Sequence, residues 1–238
     1  MLDLVDRHIT FGGETIPANV AATPKIIRAR RKLTVTQIAG TNREVVDMED
    51  AWECYDQPYK LFVGDGTLDS VQPLLDSVAS VLYKKGWQIL LDDYEPDIYR
   101  LAYYQGGFEV DNRYTRLGVF DISFRCRPER FLTSGSTAVT VASGSTLTNP
   151  TAFNALPLIK ITGSGNGTIT VAGVTMTITG MADYLYLDCE KQDCYRLPTE
   201  NKNSLVSGNY PVLKSGANTV SYTGGITGCQ ITPKWMTI

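Results

Sequence analysis

Two periodicities divide the chain. In "GTLDSVQPLLDSVASVLYKKG", Gly66 to Gly86, the residues Val71, Leu74, Leu75, Val78, Val81 and Leu82 recur at intervals of three and four, which lines one face of an α-helix. Thr67 is placed to cap the start and Asp69 and Asp76 lie toward the positive end, while Lys84, Lys85 and Gly86 close the helix. Pro73 must then fall in the first turn, because deeper in the helix it would remove an internal hydrogen bond. Almost everything else reads as strand. "GWQILL", "DIYRLAYYQGGFEV" and "TRLGVFDISFRCRP" are rich in β-branched and aromatic residues and punctuated by Gly, Asp-Asn and Pro. In the last of them Val119, Ile122, Phe124 and Cys126 fall close to one face. One helix covering one side of a β-sheet is the expected α+β arrangement.

From Thr137 onward short strands recur between turn signals, in "STAVTVASG", "PLIKITGSGNG", "TITVAG", "VTMTITG", "YLYLDCE" and on to "CQITPKW". That spacing points to an antiparallel sandwich. Gly163, Gly165 and Gly167 in "PLIKITGSGNG" raise the alternative of a phosphate loop. Such a loop delivers glycine backbone into a helix N-terminus. Here "TITVAGVTMTITG" follows, with a strand period, and neither Gly-Lys-Ser/Thr nor GxGxxG is present. A hairpin is therefore expected.

Composition sharpens the division. Of 22 basic and 25 acidic side chains in 238 residues, only 6 and 5 fall after residue 132, where Gly, Ser, Thr and Asn crowd instead. A boundary near Glu129–Val139 follows, giving domains of 1–132 and 133–238. With 43% apolar residues, each half can build a core. A net charge of -3 gives no general reason to expect nucleic acid or an anionic membrane as partner. The acidic, mixed start "MLDLVDRHIT" predicts no secretory signal, and no apolar run approaches the length of a membrane span. Five cysteines, Cys54, Cys126, Cys189, Cys194 and Cys229, are too few and odd for a disulfide framework and read as reduced, buried thiols.

Candidate chemistry is sparse. His8 is the sole histidine, so a Ser-His-Asp or Cys-His arrangement would have to use a residue near the terminus. Cys189 and Cys194 in "DCEKQDC" lack the further ligands of a zinc site and read as packed thiols of a strand pair. Asp92, Asp93, Glu95 and Asp97 in "LLDDYEPD" are the one place for paired carboxylates of the glycosidase kind, yet they fit a solvated turn between two strands better. No catalytic, cofactor or metal residue is assigned. In "IIRARRKL", Arg28, Arg30, Arg31 and Lys32 form a basic cluster without aromatic interleaving. It reads as a solvated face or a subunit or partner interface before it reads as a nucleic-acid site. Tyr103, Tyr104, Tyr184, Tyr186, Tyr210, Tyr222 and Trp235 offer faces on which sugars stack, though strand aromatics are more often core.

The order of the segments carries more than any single motif. "VTQIAGTNREVVDMEDAW" is similar to an early hairpin with Gly-Thr-Asn at its tip, and the helix followed by "GWQILLDDYEPDIYRLAYY" is similar to a helix, strand, acidic turn and strand. "GVFDISFRCRPERFL" closes a first domain; "NPTAFNALPLIKITGSGNGTITVAG" opens a second and "NSLVSGNYPVLKSGANTVSYTG" ends it. In this order, over nearly its whole length, the chain resembles the distal tail protein (Dit) family of long-tailed, non-contractile phages. The resemblance implies a mostly β protein with one main helix, an N-terminal ring-forming α+β domain and a C-terminal galectin-like β-sandwich. It implies a non-enzymatic virion protein, made in the host cytoplasm and placed at the tail tip. There six copies form a ring that joins the tail tube protein to the tail-tip hub protein of the tail-associated lysin type and serves as a platform for receptor-binding proteins. DNA passes such a lumen without specific binding, and Arg28, Arg30, Arg31 and Lys32 are then expected to face protein. The second reading is a carbohydrate-binding module that recognises host cell-wall polymers. Residues 133–238 hold no His, one Arg (Arg196) and one Trp (Trp235), which makes a galectin-type sugar site a poor fit.

Overall fold

The computed structural model describes residues 7–64, 71–114 and 117–238. The chain divides into two compact units, Met1–Arg130 with Ile238, and Phe131–Thr237.

The first unit is built on an antiparallel sheet. Its strands are β1 (Ile9–Phe11), β2 (Glu14–Thr15), β3 (Asn19–Val20), β6 (Tyr55–Val63), β7 (Gln88–Asp92), β8 (Ile98–Tyr104), β9 (Val110–Tyr114) and β10 (Leu117–Leu132). The order across the sheet is β2-β1-β7-β8-β10-β6-β3, with β9 also on β10. The intervening β4 (Arg31–Gln37) and β5 (Glu44–Trp52) pair only with each other. Strand β6 alternates buried and exposed residues along its length, so that Tyr55, Tyr59, Leu61 and Val63 point inward, the period of a half-buried strand. On β10 the inward set is Phe120, Ile122, Phe124 and Cys126. Val119, expected on that face, is half-buried on the other side, and Phe120 takes its place.

Helix α1 (Gln72–Leu82) lays Leu75, Val78, Val81 and Leu82 on this sheet, in one core with Phe11, Leu61, Leu90 and Phe124. Pro73 stands in the first turn, as its missing N–H requires. Thr67 and Asp69, the expected cap and first-turn acid, lie outside the described residues. Lys84 reaches back from the helix end to the Gly12 carbonyl at 3.0 Å and to Glu14 at 2.7 Å, tying the helix to β1 and β2.

In the second unit the strands are β11 (Val139–Thr140), β12 (Ser145–Asn149), β13 (Leu158–Val171), β14 (Val174–Met181), β15 (Tyr184–Asp188), β16 (Asp193–Tyr195), β17 (Val206–Gly208) and β18 (Gly216–Thr232). Strand β13 runs beside β18 for its whole length, and the start of β18 pairs with β12. The first part of β13 also pairs with β15, and the last part with β14. The sheet folds on itself where β13 changes partner, and Ile159 and Ile161 from one half meet Ile169 and Val171 from the other in a single core. The result is a two-layer sandwich.

Gly163, Gly165 and Gly167 mark that fold. They lie inside continuous β13, where its register against β18 shifts, and not at the turn of a hairpin. A Cβ on Gly163 would collide with the Gly225 carbonyl, and one on Gly225 with the Ser164 carbonyl. The two strands cross too closely for any side chain. The hairpin turn comes later, at Ala172 and Gly173, with φ of 51° and 83°, the left-handed pair of a two-residue turn.

Candidate functional site

Strands β4 and β5 form a hairpin that belongs to neither sheet. Ile38 and Arg43 close its tip through a 3.1 Å bond from the Ile38 N–H to the Arg43 carbonyl, with Gly40 at φ 78° between them. The register sets Leu33 opposite Met48 and Val35 opposite Val46, so these four side chains share one face. On the other face Thr34 meets Asp47, and Thr36 meets Val45. The apolar face is bare: Leu33 is 53% exposed, Val35 45%, Val46 46% and Met48 62%. Among the described residues nothing covers it. A two-stranded hairpin is marginal in water by itself, and an alternating apolar face of this kind is normally packed against something.

The base of the hairpin, by contrast, is held. Trp52, Ile27 and Ala29 pack on the first unit's core, the Arg30 carbonyl accepts the Glu53 N–H at 2.8 Å, and the Gln57 side chain donates to the Lys25 carbonyl at 2.7 Å. The basic cluster lies along this base. Arg28, Arg30, Arg31 and Lys32 are exposed, and Arg31 rests over the Trp52 ring at 5.2 Å. The neighbouring strand carries exposed Asp47, Glu49 and Asp50, followed by Glu53. The hairpin thus presents a bare apolar strip that runs toward its tip from a base carrying basic residues on one strand and acidic residues on the other.

The acidic turn departs from its expected form. Asp93 and Asp97 are exposed, but Asp92 is buried and Glu95 half-buried. Asp92 accepts hydrogen bonds from the Tyr59 hydroxyl at 2.7 Å, from Arg100 at 3.2 Å and from the N–H groups of Tyr94 and Glu95 at 3.1 and 2.9 Å. Glu95 bridges Arg100 and Arg130, and Arg100 also donates to the Tyr55 hydroxyl at 3.3 Å. Burial pushes the Tyr55 hydroxyl up to about 12 and carries that of Tyr59 well above its ordinary range. Both carboxylates are engaged by guanidinium groups, an arrangement that fixes the turn in place. The sequence hid this because the turn's local composition does not show that Arg100, on the very next strand, folds back onto it, and Tyr59 and Arg130 come from more than thirty residues away.

His8 is exposed, and its backbone N–H donates to Asp93 at 2.7 Å. All five cysteines are free. Cys189 and Cys194 sit at the β15–β16 hairpin, both buried, and burial raises their thiols to about 12 and about 11. No group of metal-ligating side chains is found among the described residues, nor a helix long and apolar enough to cross a membrane. Of the expected aromatic faces, Trp235 and Tyr104 are buried, and Tyr222 is half-buried with its hydroxyl on the Val141 carbonyl at 3.4 Å. Tyr184 and Tyr186 stand half-exposed on the sandwich surface beside Tyr195, which the sequence reading did not single out.

No family model and no curated protein matches the sequence. The structure does find similar folds. It superposes on the Dit protein of phage SPP1 with a TM-score of 0.74 at 12% identity, covering 98% of this chain and 99% of that one. The chain has the Dit fold. The SPP1 protein is described as a paradigm of the hub adsorption apparatus of phages that infect Gram-positive bacteria. A chain of the phage P2 baseplate, in its activated conformation with Ca, matches with a TM-score of 0.52 at 9% identity, over 94% of this chain and 97% of that one. The P2 baseplate with Sr matches to the same extent. Identity this low is in keeping with the absence of any match by sequence.

Proposed function

We propose that this chain is a structural, non-enzymatic protein of a phage tail tip, one of six subunits of a ring that joins the tail tube to the tail-tip hub and to receptor-binding proteins. In this reading the first domain, 1–132, closes the ring, and the second, 133–238, is a galectin-like sandwich that projects from it. The bare apolar face of Leu33, Val35, Val46 and Met48 carries the reading. A hairpin anchored at its base and uncovered along one face is completed by a surface of the next copy.

Charge supports a head-to-tail contact. Arg28, Arg30, Arg31 and Lys32 and the acids Asp47, Glu49, Asp50 and Glu53 are exposed, and among the described residues no ion pair joins the two sets, so each is available to its opposite on a neighbour. A heterologous contact of this kind closes into a ring when its rotation fits, and the basic residues then face protein and not DNA. The Dit fold and the hub and baseplate character of the matched phage proteins are consistent with it.

Light scattering at micromolar concentration, with negative-stain images of the same peak, tests the proposal. The expected mass is about six times 26.2 kDa, in annular particles. Reversal of Arg28, Arg30 and Arg31 to glutamate is expected to prevent assembly. If assembly survived and only DNA binding were lost, the assignment of these residues to the subunit contact would be wrong.

A further inference from the structure

We infer that the outer face of the β16-β15-β13-β18 layer is a binding site for an anionic saccharide. The pairing register sets Gln230, Lys160, Tyr186 and Tyr195 in one row across four strands, with Thr162 and Tyr184 in the next. These residues point away from the core, whose inward partners are Ile161, Leu185, Leu187 and Cys194. Neighbouring strands lie about 4.8 Å apart, so Lys160, Tyr186 and Tyr195 span about 10 Å, room for two linked sugar rings.

The surface is organised. Tyr186 and Tyr195 stack with centroids 5.4 Å apart and planes at 21°, and Tyr184 meets Tyr186 edge-on at 5.8 Å. Lys160 Nζ rests 5.0 Å from the Tyr184 ring and 5.6 Å from the Tyr186 ring. Arg196 lies over Tyr184 at 5.3 Å, oriented by Asp183 at 3.2 Å. Fixed aromatic rings supply the flat apolar contact that the C–H face of a sugar needs, and the hydroxyls and amide around them supply hydrogen bonds.

Charge selects the ligand. Residues 133–238 hold five carboxylates, and each is already engaged: Asp183 by Arg196, Asp188 by the N–H groups of Glu190 and Lys191, Glu190 by Lys234, Asp193 by Asn201 and Asn203, and Glu200 by Lys202. Lys160 has no ion pair among the described residues and only ring faces beneath it. A cation held on an aromatic platform, with a guanidinium beside it, favours a sugar bearing phosphate or carboxylate over a neutral one. The site is separate from the hairpin and does not depend on ring assembly.

Calorimetric titration of the full-length protein with a phosphorylated maltotriose, a galacturonic acid trimer, unmodified maltotriose and inorganic phosphate tests it. Binding of at least one anionic trimer, tenfold or more above neutral maltotriose, with no saturation by inorganic phosphate, is expected. The two anionic arms distinguish phosphate from carboxylate as the group recognised. Tyr186→Ala should weaken binding tenfold or more. Lys160→Gln, a surface change that leaves the core intact, should abolish the preference for the anionic probes and flatten its salt dependence. Failure of both anionic trimers to bind at millimolar concentration, equal binding by the Lys160→Gln protein, or inorganic phosphate binding as well as the trimers would each overturn the inference.

Discussion

Replacing both Leu33 and Met48 with glutamate separates assembly from folding. The two side chains face each other across the hairpin, 53% and 62% exposed, so the single chain gains little from them. Burying the exposed half of each of Leu33, Val35, Val46 and Met48 on a neighbour would contribute about 1 kcal/mol apiece, or about 4 kcal/mol per contact. The double substitution removes about half of that, roughly a thirtyfold loss per contact at 1.4 kcal/mol per decade, and adds the cost of dehydrating two carboxylates, several kcal/mol more. Stability of the free chain should move by only about 0.5 kcal/mol, as at exposed positions generally. Light scattering should therefore report a mass near 26.2 kDa for the variant, with an unchanged melting profile. An intact ring would show that this face is not in the contact. A much lower melting temperature would show that the face is covered within its own chain.

Other consequences follow from the two cores. Gly225→Ala should cost about 3 kcal/mol or more, because its Cβ meets the Ser164 carbonyl, whereas Gly107→Ala, with open space around it, should be near neutral; similar denaturation midpoints for the two would refute the close crossing of β13 and β18. Arg100→Met strands Asp92 without its guanidinium and should destabilise the first unit by about 3–5 kcal/mol, read from the loss of its transition in chemical denaturation. Burial holds the thiols of Cys126, Cys189 and Cys229 at about 12 and the Tyr55 hydroxyl at about 12, so the folded chain keeps protons that the unfolded chain releases. Stability from these groups is complete below about pH 9 and falls by up to about 1.4 kcal/mol per pH unit per group as pH rises toward 12; a midpoint unchanged between pH 8 and pH 10.5 would contradict this.

What the sequence made legible were features set by local spacing. The helix stripe from Val71 to Leu82 and Pro73 at its start follow from periodicity and from proline's missing N–H, and the structure places both as expected; the hairpin tip around Gly40 comes from the order of segments in the family resemblance. The acidic turn is less legible, because its burial is decided by which way Arg100 on the next strand turns and by Tyr59 and Arg130 from far along the chain. Nothing in "LLDDYEPD" itself says that Arg100 and Arg130 will bury Asp92 and Glu95. The glycines of β13 misled in the same way: they were read as a chain reversal, but what demands them is the backbone of β18, about sixty residues later in the sequence. The tyrosine surface was half visible. Tyr184 and Tyr186 stood out, while Lys160 and Tyr195 joined them only through strand pairing.

The composition shift between the two halves has a physical cause at each end. In the first unit charge is used twice over, to fix a buried turn through Asp92, Glu95, Arg100 and Arg130 and to line the base of the hairpin from which an uncovered apolar strip runs. Removing either set would expose or strand something: the buried acids lose their partners, or the strip loses the charged base that keeps contacts specific. The second unit keeps its outer surfaces hydrated with hydroxyls, as where Thr168 pairs with Thr223 at 2.7 Å and Thr170 with Thr175 at 2.8 Å. Such cross-strand pairs stabilise a sheet without charge. Against that nearly neutral surface a single unpaired cation such as Lys160 governs the local field far more than it would among the charges of the first unit. Low charge in the second half is therefore what the proposed saccharide site depends on for selectivity, as the proposed subunit contact depends on dense charge in the first for direction.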